Sequence, residues 1–421
     1  MRSLVLAAVL LPVLASAQVK TGEKAFENAV DEAPGNRVHI TLADLPAPHP
    51  EEGVGNGPTL VPRNGAIPVA KPGYRVTLYA DDFDTPRLIR TAPNGDLFLA
   101  DTGAGTVIIL RGVNADGRAA HRETFATGLK QPFGINFWPA DNPKYVYVAN
   151  TESVVRFPYK AGDTKATGPA ETIIPSLPGG GHSTRDVVFS KDGQRMFISV
   201  GSGSNIDDPD THPSEKNRAD VLEYKPDGTF VKVYAYGIRN CVGEAIQPTT
   251  GALWCSVNER DMLGNHLVPD YITHVEEGGF YGWPWWYMGG KQDPRHAGRH
   301  PELQAKVITP DVLMQPHNGS LQVTFYTGKS QPGVAPGDIF AAEHGSWNRK
   351  ERTGYELVHI PVVNGKATGE YEDFLTGFTD KEGRVWGRPV GVTVAKDSAL
   401  IVVEDGAKTV WRVTWVGKPS Y

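Results

Sequence analysis

Six short strand cores recur along the chain, and they constrain its fold more than any other feature. They are Leu97-Phe98-Leu99-Ala100-Asp101, Val146-Tyr147-Val148-Ala149-Asn150, Met196-Phe197-Ile198-Ser199-Val200, Leu253-Trp254-Cys255-Ser256-Val257, Ile339-Phe340-Ala341-Ala342-Glu343 and Leu400-Ile401-Val402-Val403-Glu404. Each follows an apolar run that is headed by a polar residue. Five are preceded by a turn containing Gly or Asp, such as Pro93-Asn94-Gly95-Asp96 or Lys191-Asp192-Gly193, and the second by Pro139-Ala140-Asp141-Asn142-Pro143. Hairpins repeated at roughly 50-residue intervals are the mark of a radial β array with one blade per repeat. The pattern predicts an all-β, six-bladed β-propeller over residues 71–421, its first blade opening near Tyr74-Arg75-Val76-Thr77-Leu78-Tyr79-Ala80. In such a fold, equivalent positions of every blade gather around one axis, so residues far apart in sequence meet.

The flanking segments have other characters. Residues 1–17 read as a signal peptide: Arg2, an apolar stretch from Leu4 to Leu14, then Ala15-Ser16-Ala17 before Gln18. No segment reaches the ~18 apolar residues of a membrane span, and export to the periplasm or the medium is expected. In an oxidising compartment, Cys241 and Cys255, on the two arms of one hairpin, are expected to pair; two buried thiols are the other reading. Residues 18–70 contain Leu45-Pro46-Ala47-Pro48-His49-Pro50 and a Gly-rich stretch, and read as an extended arm lying on the propeller or leading into it. The formal charge of −6 and the absence of a basic run speak against a nucleic-acid surface.

Two long insertions break the repeat, Asp207 to Lys216 and Arg260 to about Gln315. Insertions of that length in a compact domain are usually functional. The first holds Asp207, Asp208 and Asp210, which read as a second cation site or a solvated loop. The second holds Gly282-Trp283-Pro284-Trp285-Trp286-Tyr287, which read as a ligand wall or as a hydrophobic plug. Trp283, Trp285, Trp286 and Trp347 are the candidate wall residues.

At the head of the innermost strand of each blade stand Pro86-Arg87, Gln131-Pro132, His182 to Arg185, Arg239-Asn240 and Arg388-Pro389. From Gln131, His182, Arg239 and Arg388 the distance to the centre of the next core is nearly constant, 13 to 16 residues. These side chains are therefore expected to ring one end of the central channel. Buried there without partners they would be costly, and a polyanionic, carbonyl-rich ligand would satisfy them.

The segments Gly179-Gly180-Gly181-His182-Ser183-Thr184-Arg185, Gly237-Ile238-Arg239-Asn240 and Gly278-Gly279-Phe280-Tyr281-Gly282-Trp283-Pro284 resemble the soluble glucose/sorbosone dehydrogenases, which bind pyrroloquinoline quinone (PQQ) and calcium. Asn258-Glu259-Arg260-Asp261 and Leu267-Val268-Pro269-Asp270-Tyr271 resemble the sorbosone and pyranose dehydrogenase branch, and the likeness runs over about residues 70 to 417. The resemblance implies that His182 is the general base for the anomeric hydroxyl, a role imidazole suits. It implies that Arg239 stabilises charge growing on the quinone, that Asn240 contacts the quinone, and that Gln131 lies near the reacting carbonyl and substrate. Arg388 matches one of two arginines that hold PQQ carboxylates, where a guanidinium fork fits. Trp386 stands where the second is expected, so Arg384 or Arg349 is the candidate replacement. No lysine stands where the fifth blade should supply one, and His344, Trp347, Asn348, Arg349 and Lys350 are the candidates there. Calcium, by the same likeness, is held by the backbone carbonyls of Glu259 and Arg260, with Asp261 assisting.

The implied activity is oxidation of a sugar or sugar-derived aldehyde by hydride transfer to PQQ, with electrons passed to an external cytochrome or quinone. Two other readings stay open, a calcium-dependent lactonase-like hydrolase and a propeller that only binds. No Cys-x-x-Cys-His haem motif is present.

Overall fold

The computed structural model describes residues 18–417; the expected signal peptide, residues 1–17, lies outside them. The fold is all-β and of the β-propeller class. Five four-stranded antiparallel sheets and one seven-stranded sheet hold the repeats. All six cores form second strands of these sheets: Leu97–Asp101, Tyr145–Ala149, Met196–Val200, Leu253–Val257, Ile339–Glu343 and Leu400–Glu404. Each such strand is packed on both faces by neighbouring sheets and is almost wholly buried. That explains why these segments read as continuous apolar runs rather than as alternation. Truncating one of their large apolar side chains, Leu99→Ala for example, should cost about 2–5 kcal/mol.

The first strands of the sheets are Pro86–Thr91, Gly134–Trp138, Val187–Phe189, Cys241–Ile246, Ser320–Phe325 and Pro389–Val394, and consecutive ones adjoin around a closed ring. Glycines mark the tightest approaches. A Cβ on Gly243 would stand 2.5 Å from the Leu321 carbonyl oxygen. Cys241 and Cys255 form a disulfide between the first and second strands of the fourth sheet, with Cα atoms 5.8 Å apart.

Two expectations need correction. Tyr74–Ala80 does not open the first sheet: it pairs with Thr409–Trp415 as the outermost strand of the last one. The two chain ends thereby cover an edge that would otherwise be unpaired. The segment Arg260–Gln315 is only partly an insertion, since Pro269–His274 and Val312–Pro316 are the third and fourth strands of the fourth sheet. The arm lies on the propeller. Arg37–Val38 and Val69–Ala70 pair with Tyr371–Thr376, and Val19–Lys20 adds to Arg37–Val38, which makes the fifth sheet seven-stranded. No helix among the described residues is long and apolar enough to cross a membrane.

Candidate functional site

A cavity of about 350 Å³, the size of a small-molecule site, lies where the inner strands begin. Arg87, His182, Arg239, Asn240, His344 and Arg388 all line it. Buried acids at the ends of the second strands fix these positions. Asp101 accepts from the backbone N–H groups of Asp84 (3.0 Å) and Thr85 (2.7 Å), just ahead of Arg87. Glu404 does the same for the Arg388 N–H at 3.2 Å.

His182 sits in the glycine-rich loop ahead of the third sheet. Two buried guanidiniums, neither ion-paired among the described residues, hold that loop by its carbonyls. Arg185 donates to the carbonyls of His182 (2.7 Å), Thr184 (2.6 Å) and Pro178 (2.5 Å). Arg218 donates to those of Gly201 (2.8 Å), Gly180 (2.7 Å) and Gly179. The Nδ1 of His182 is 2.8 Å from the Ser202 carbonyl, which can only accept, so Nδ1 carries the hydrogen and Nε2 keeps its lone pair. Burial, then the Arg239 cation, pushes the His182 pKa down to about 4, so the ring is neutral at working pH. Gly201 lets the parts close up: a Cβ there would stand 2.7 Å from the Cβ of His182.

Arg239 is buried and aimed by a set of oxygens. It ion-pairs with Asp261 at 3.0 Å and donates to the Asn205 side chain (3.0 Å) and to the carbonyls of Glu259 (2.7 Å), Asn258 (3.3 Å) and Asn205 (3.2 Å). The other Asp261 oxygen accepts from Asn348 at 2.6 Å. Asp270, also at the cavity, accepts from the N–H groups of Glu259 (2.8 Å) and Gly319 (2.6 Å). Burial pushes the Glu259 and Asp270 carboxyls up to about 7.

Across the cavity, Asp405 joins Arg87 (2.8 Å) to His344 (2.9 Å). Burial opposes ionisation of Asp405, yet His344, Arg87 and Arg388 hold its carboxyl well below the usual range. Arg388 donates from Nε to the His344 carbonyl at 3.2 Å and ion-pairs with no carboxylate among the described residues. Burial pushes its pKa down, so an anion in the cavity would relieve it. The Asn240 Oδ1 is buried and has no partner among the described residues.

The TrAA12-like family profile matches residues 68–274 and 292–416. The chain belongs to the TrAA12-like family. A protein of unassigned activity from Borreliella burgdorferi is 25% identical over 353 residues, 81% of this chain and 89% of that protein. A pyrroloquinoline quinone-dependent pyranose dehydrogenase of Coprinopsis cinerea is 23% identical over 396 residues, 79% of this chain and 52% of that protein. The chain thus spans about half the length of that curated relative. The PQQ domain of a pyranose dehydrogenase from Coprinopsis cinerea, in its holo form, superposes with a TM-score of 0.71 at 20% identity, covering 82% of this chain and 97% of that one. The resemblance to soluble PQQ sugar dehydrogenases is thereby borne out, and this TrAA12-like protein is related to that group of oxidoreductases.

Of the residues singled out in the sequence, the TrAA12-like cavity gathers His182, Arg239, Asn240, Arg388, Trp347, Glu259 and Asp261. Gln131 lies beside it. It lines an adjoining pocket of about 180 Å³ that shares Arg87, Ser183 and Thr184 with the main cavity. Other candidates do not line this cavity. Arg349 is buried away from the cavity, bonded to Gln315 at 3.0 Å, and Arg384 is exposed and paired with Asp380 at 2.7 Å. The Arg260 side chain turns outward to Asp293 at 2.8 Å. Trp285 and Trp286 are buried as a plug with Phe280, and Trp283 is buried separately; the indole N–H of Trp283 donates to the Asn205 carbonyl and that of Trp286 to the His300 carbonyl. Trp386 packs on Phe378 and Trp411 in the core. Arg87 instead supplies the further guanidinium, and its place at the head of the first inner strand was the signal for it. His317 had no such signal, because it arrives from a loop; Asn348 was one of the fifth-blade candidates, and Asp270 enters on the strand Pro269–His274.

Proposed function

We propose that this protein is a PQQ-dependent dehydrogenase of sugars or sugar-derived aldehydes, built as a six-bladed propeller with each of the six sheets as one blade. The observation that carries the reading is one cavity holding a neutral histidine with a free Nε2 and three guanidiniums, one of them without a carboxylate partner. PQQ is a tricarboxylate, and such a donor set matches it by charge and by fork geometry. Arg388, with Arg87 beside it, would hold carboxylates, Asn240 would contact the ring, and Trp347 would wall the sugar side of the cavity. Bound there, PQQ supplies a two-electron acceptor for hydride from C1 of the sugar. His182 Nε2 takes the proton of the C1 hydroxyl, while Arg239, already fixed by four residues, stabilises the negative charge that grows as hydride leaves. Gln131 faces the route from the adjoining pocket. Arg349 and Arg384 have no part in this assignment.

Calcium fits the wall formed by Glu259, Asp261 and Asp270, whose oxygens are hard ligands. No preformed cage of three acidic, His or Cys side chains exists among the described residues. The Glu259 carbonyl, with Asp261 and Asp270 beside it, would hold the ion, which would supply a fixed positive charge beside the cofactor; that carbonyl accepts from Arg239. A lactonase-like reading needs a cation caged by side chains, and three guanidiniums at the same cavity oppose it. We assign residues 1–17 to export into the periplasm or medium, 18–70 to the arm and 71–421 to the catalytic propeller, with electrons leaving to a cytochrome or quinone.

The test is PQQ binding to purified apoprotein with and without calcium, followed by dye reduction across aldoses and ketoaldehydes. Stoichiometric, calcium-assisted binding with turnover is expected. Failure to bind PQQ at any calcium concentration overturns the reading.

A further inference from the structure

Residues 18–67 lie outside the segments matched by the family profile, yet the arm reaches the loops at the mouth of the cavity. The His49 N–H donates to the Leu263 carbonyl at 2.9 Å. Gly53 sits so close to Met262 that a Cβ on it would stand 3.0 Å from the Met262 methyl. Three residues on, Asn56 meets the loop Trp347 to Arg352 with every polar group it has near it. Its backbone N–H donates to the Trp347 carbonyl at 2.5 Å. Its Nδ2 donates to the carbonyls of Arg349 (3.0 Å) and Lys350 (2.8 Å), using both amide hydrogens, and its Oδ1 accepts from Arg352 at 2.9 Å. Arg352 runs on to the carbonyls of Gly57 (3.2 Å) and Gly383 (2.8 Å).

That loop carries two residues of the cavity. Trp347 lines it while remaining 48% exposed, which is unusual for so large an apolar side chain. Asn348 is buried and donates to Asp261, the carboxylate partner of Arg239. Asn56 is thus linked to the cavity in two ways, through the Trp347 wall and through the Asn348–Asp261–Arg239 chain. The arm has no other side chain with as many bonds to this loop.

We propose that Asn56 is a positioning residue that pins the Trp347–Arg352 loop and so sets Trp347 as the wall on which a pyranose ring packs. An exposed indole offers an apolar face to the C–H face of a sugar, and its angle decides which rings fit. The inference rests on the sugar dehydrogenase reading above, but the pinning itself is tested without it.

Two variants serve, Asn56→Asp and Asn56→Ala. The first keeps the shape but turns a carboxylate oxygen toward two carbonyls; the second removes all side-chain bonds. Thermal unfolding checks that each keeps the fold. Three readouts follow: KM and kcat on the aldoses the native protein oxidises, PQQ affinity from tryptophan fluorescence, and the rate of tryptic cleavage after Lys350. Since single hydrogen bonds contribute modestly, KM should rise roughly tenfold, with kcat within about twofold and PQQ affinity unchanged. Cleavage after Lys350 should accelerate, and Trp347→Ala combined with Asn56→Asp should raise KM no further than Trp347→Ala alone. An unchanged Lys350 cleavage rate, or KM effects of the two substitutions that add in full, overturns the inference. If the native protein neither binds PQQ nor oxidises any sugar, the dehydrogenase reading and the substrate half of this inference fall together. The Lys350 cleavage rates then still decide the pinning half.

Discussion

The cavity has two walls, and each combines a histidine, arginine and a carboxylate. On one side stand His182, Arg239 and Asp261; on the other stand His344, Arg87 and Arg388, with Asp405 behind them pairing with Arg87 and His344. Both imidazoles are pushed down to about 4, chiefly by burial. They differ in which nitrogen is spent. His182 gives Nδ1 to a carbonyl and keeps Nε2, whereas His344 gives Nε2 to Asp405 at 2.9 Å. The first wall can therefore take a proton at Nε2, and the second wall cannot. Composition alone would make the walls equals. On the dehydrogenase reading proposed above, the acceptor facing each imidazole would make one a base and the other an anchor.

The sharpest way to break this comparison is to remove each histidine. His182→Gln should lower kcat by about 10²–10⁴-fold with PQQ still bound, the usual range for a lost general base. His344→Gln should leave kcat within about tenfold and weaken PQQ binding, because what it loosens is the Asp405–Arg87 pair. Steady-state dye reduction and a fluorescence titration of PQQ separate the two. Equal losses of kcat would erase the distinction between the walls.

The arginines should divide the same way, with smaller effects. Arg239→Gln should lower kcat by about 10²–10³-fold, as for loss of a preorganised charge-stabilising donor. Arg388→Gln should instead cost roughly 100-fold in PQQ affinity, the scale of a buried charge pair losing one partner, with kcat at saturating cofactor nearly kept. A large loss of kcat in Arg388→Gln, with affinity unchanged, would reverse the assignment.

How far the sequence reveals these walls follows from what holds each residue. The six cores were legible because second strands buried on both faces carry no competing polar period. His182, Arg239, Asn240 and Arg388 were legible because they head inner strands, whose register is set by hairpins of nearly constant length. Arg87 was visible at the same register, but its role was not, since that depends on Asp405, more than three hundred residues away. The aromatic run at 283–287 left two readings open, a ligand wall or a plug. Tryptophans pack as readily into a plug as around a ligand, and what settles it is whether loop carbonyls such as those of Asn205 and His300 capture the indole N–H groups. Trp347 escaped burial because its loop is tied through its backbone to Asn56 in the arm, and no local pattern encodes that tie. Likewise Tyr74–Ala80 looked like the start of a first blade, because its partner strand is the last one in the chain.

The smallest effect, and the finest test of the two walls, is in the pH profile. On the proposed mechanism the neutral His182 is the active form, so kcat/KM should rise with pH through the His182 pKa and level off above it. With that pKa near 4, the acid limb should have its midpoint about two units below the ordinary histidine value of 6.5. Burial is the larger cause and Arg239 the next, so Arg239→Gln should move the midpoint upward, though not as far as 6.5, since burial remains. Arg388→Gln should leave the limb where it is, because that guanidinium lowers the pKa of His344 and is not among the groups acting on His182. Residual activity in each variant is enough to trace the limb, as kcat/KM reports the ionisation of the free enzyme whatever its absolute rate. A matching upward shift in Arg388→Gln would mean that the two walls titrate as one electrostatic unit. The base would then owe its neutrality to the whole cavity and not to the arginine beside it.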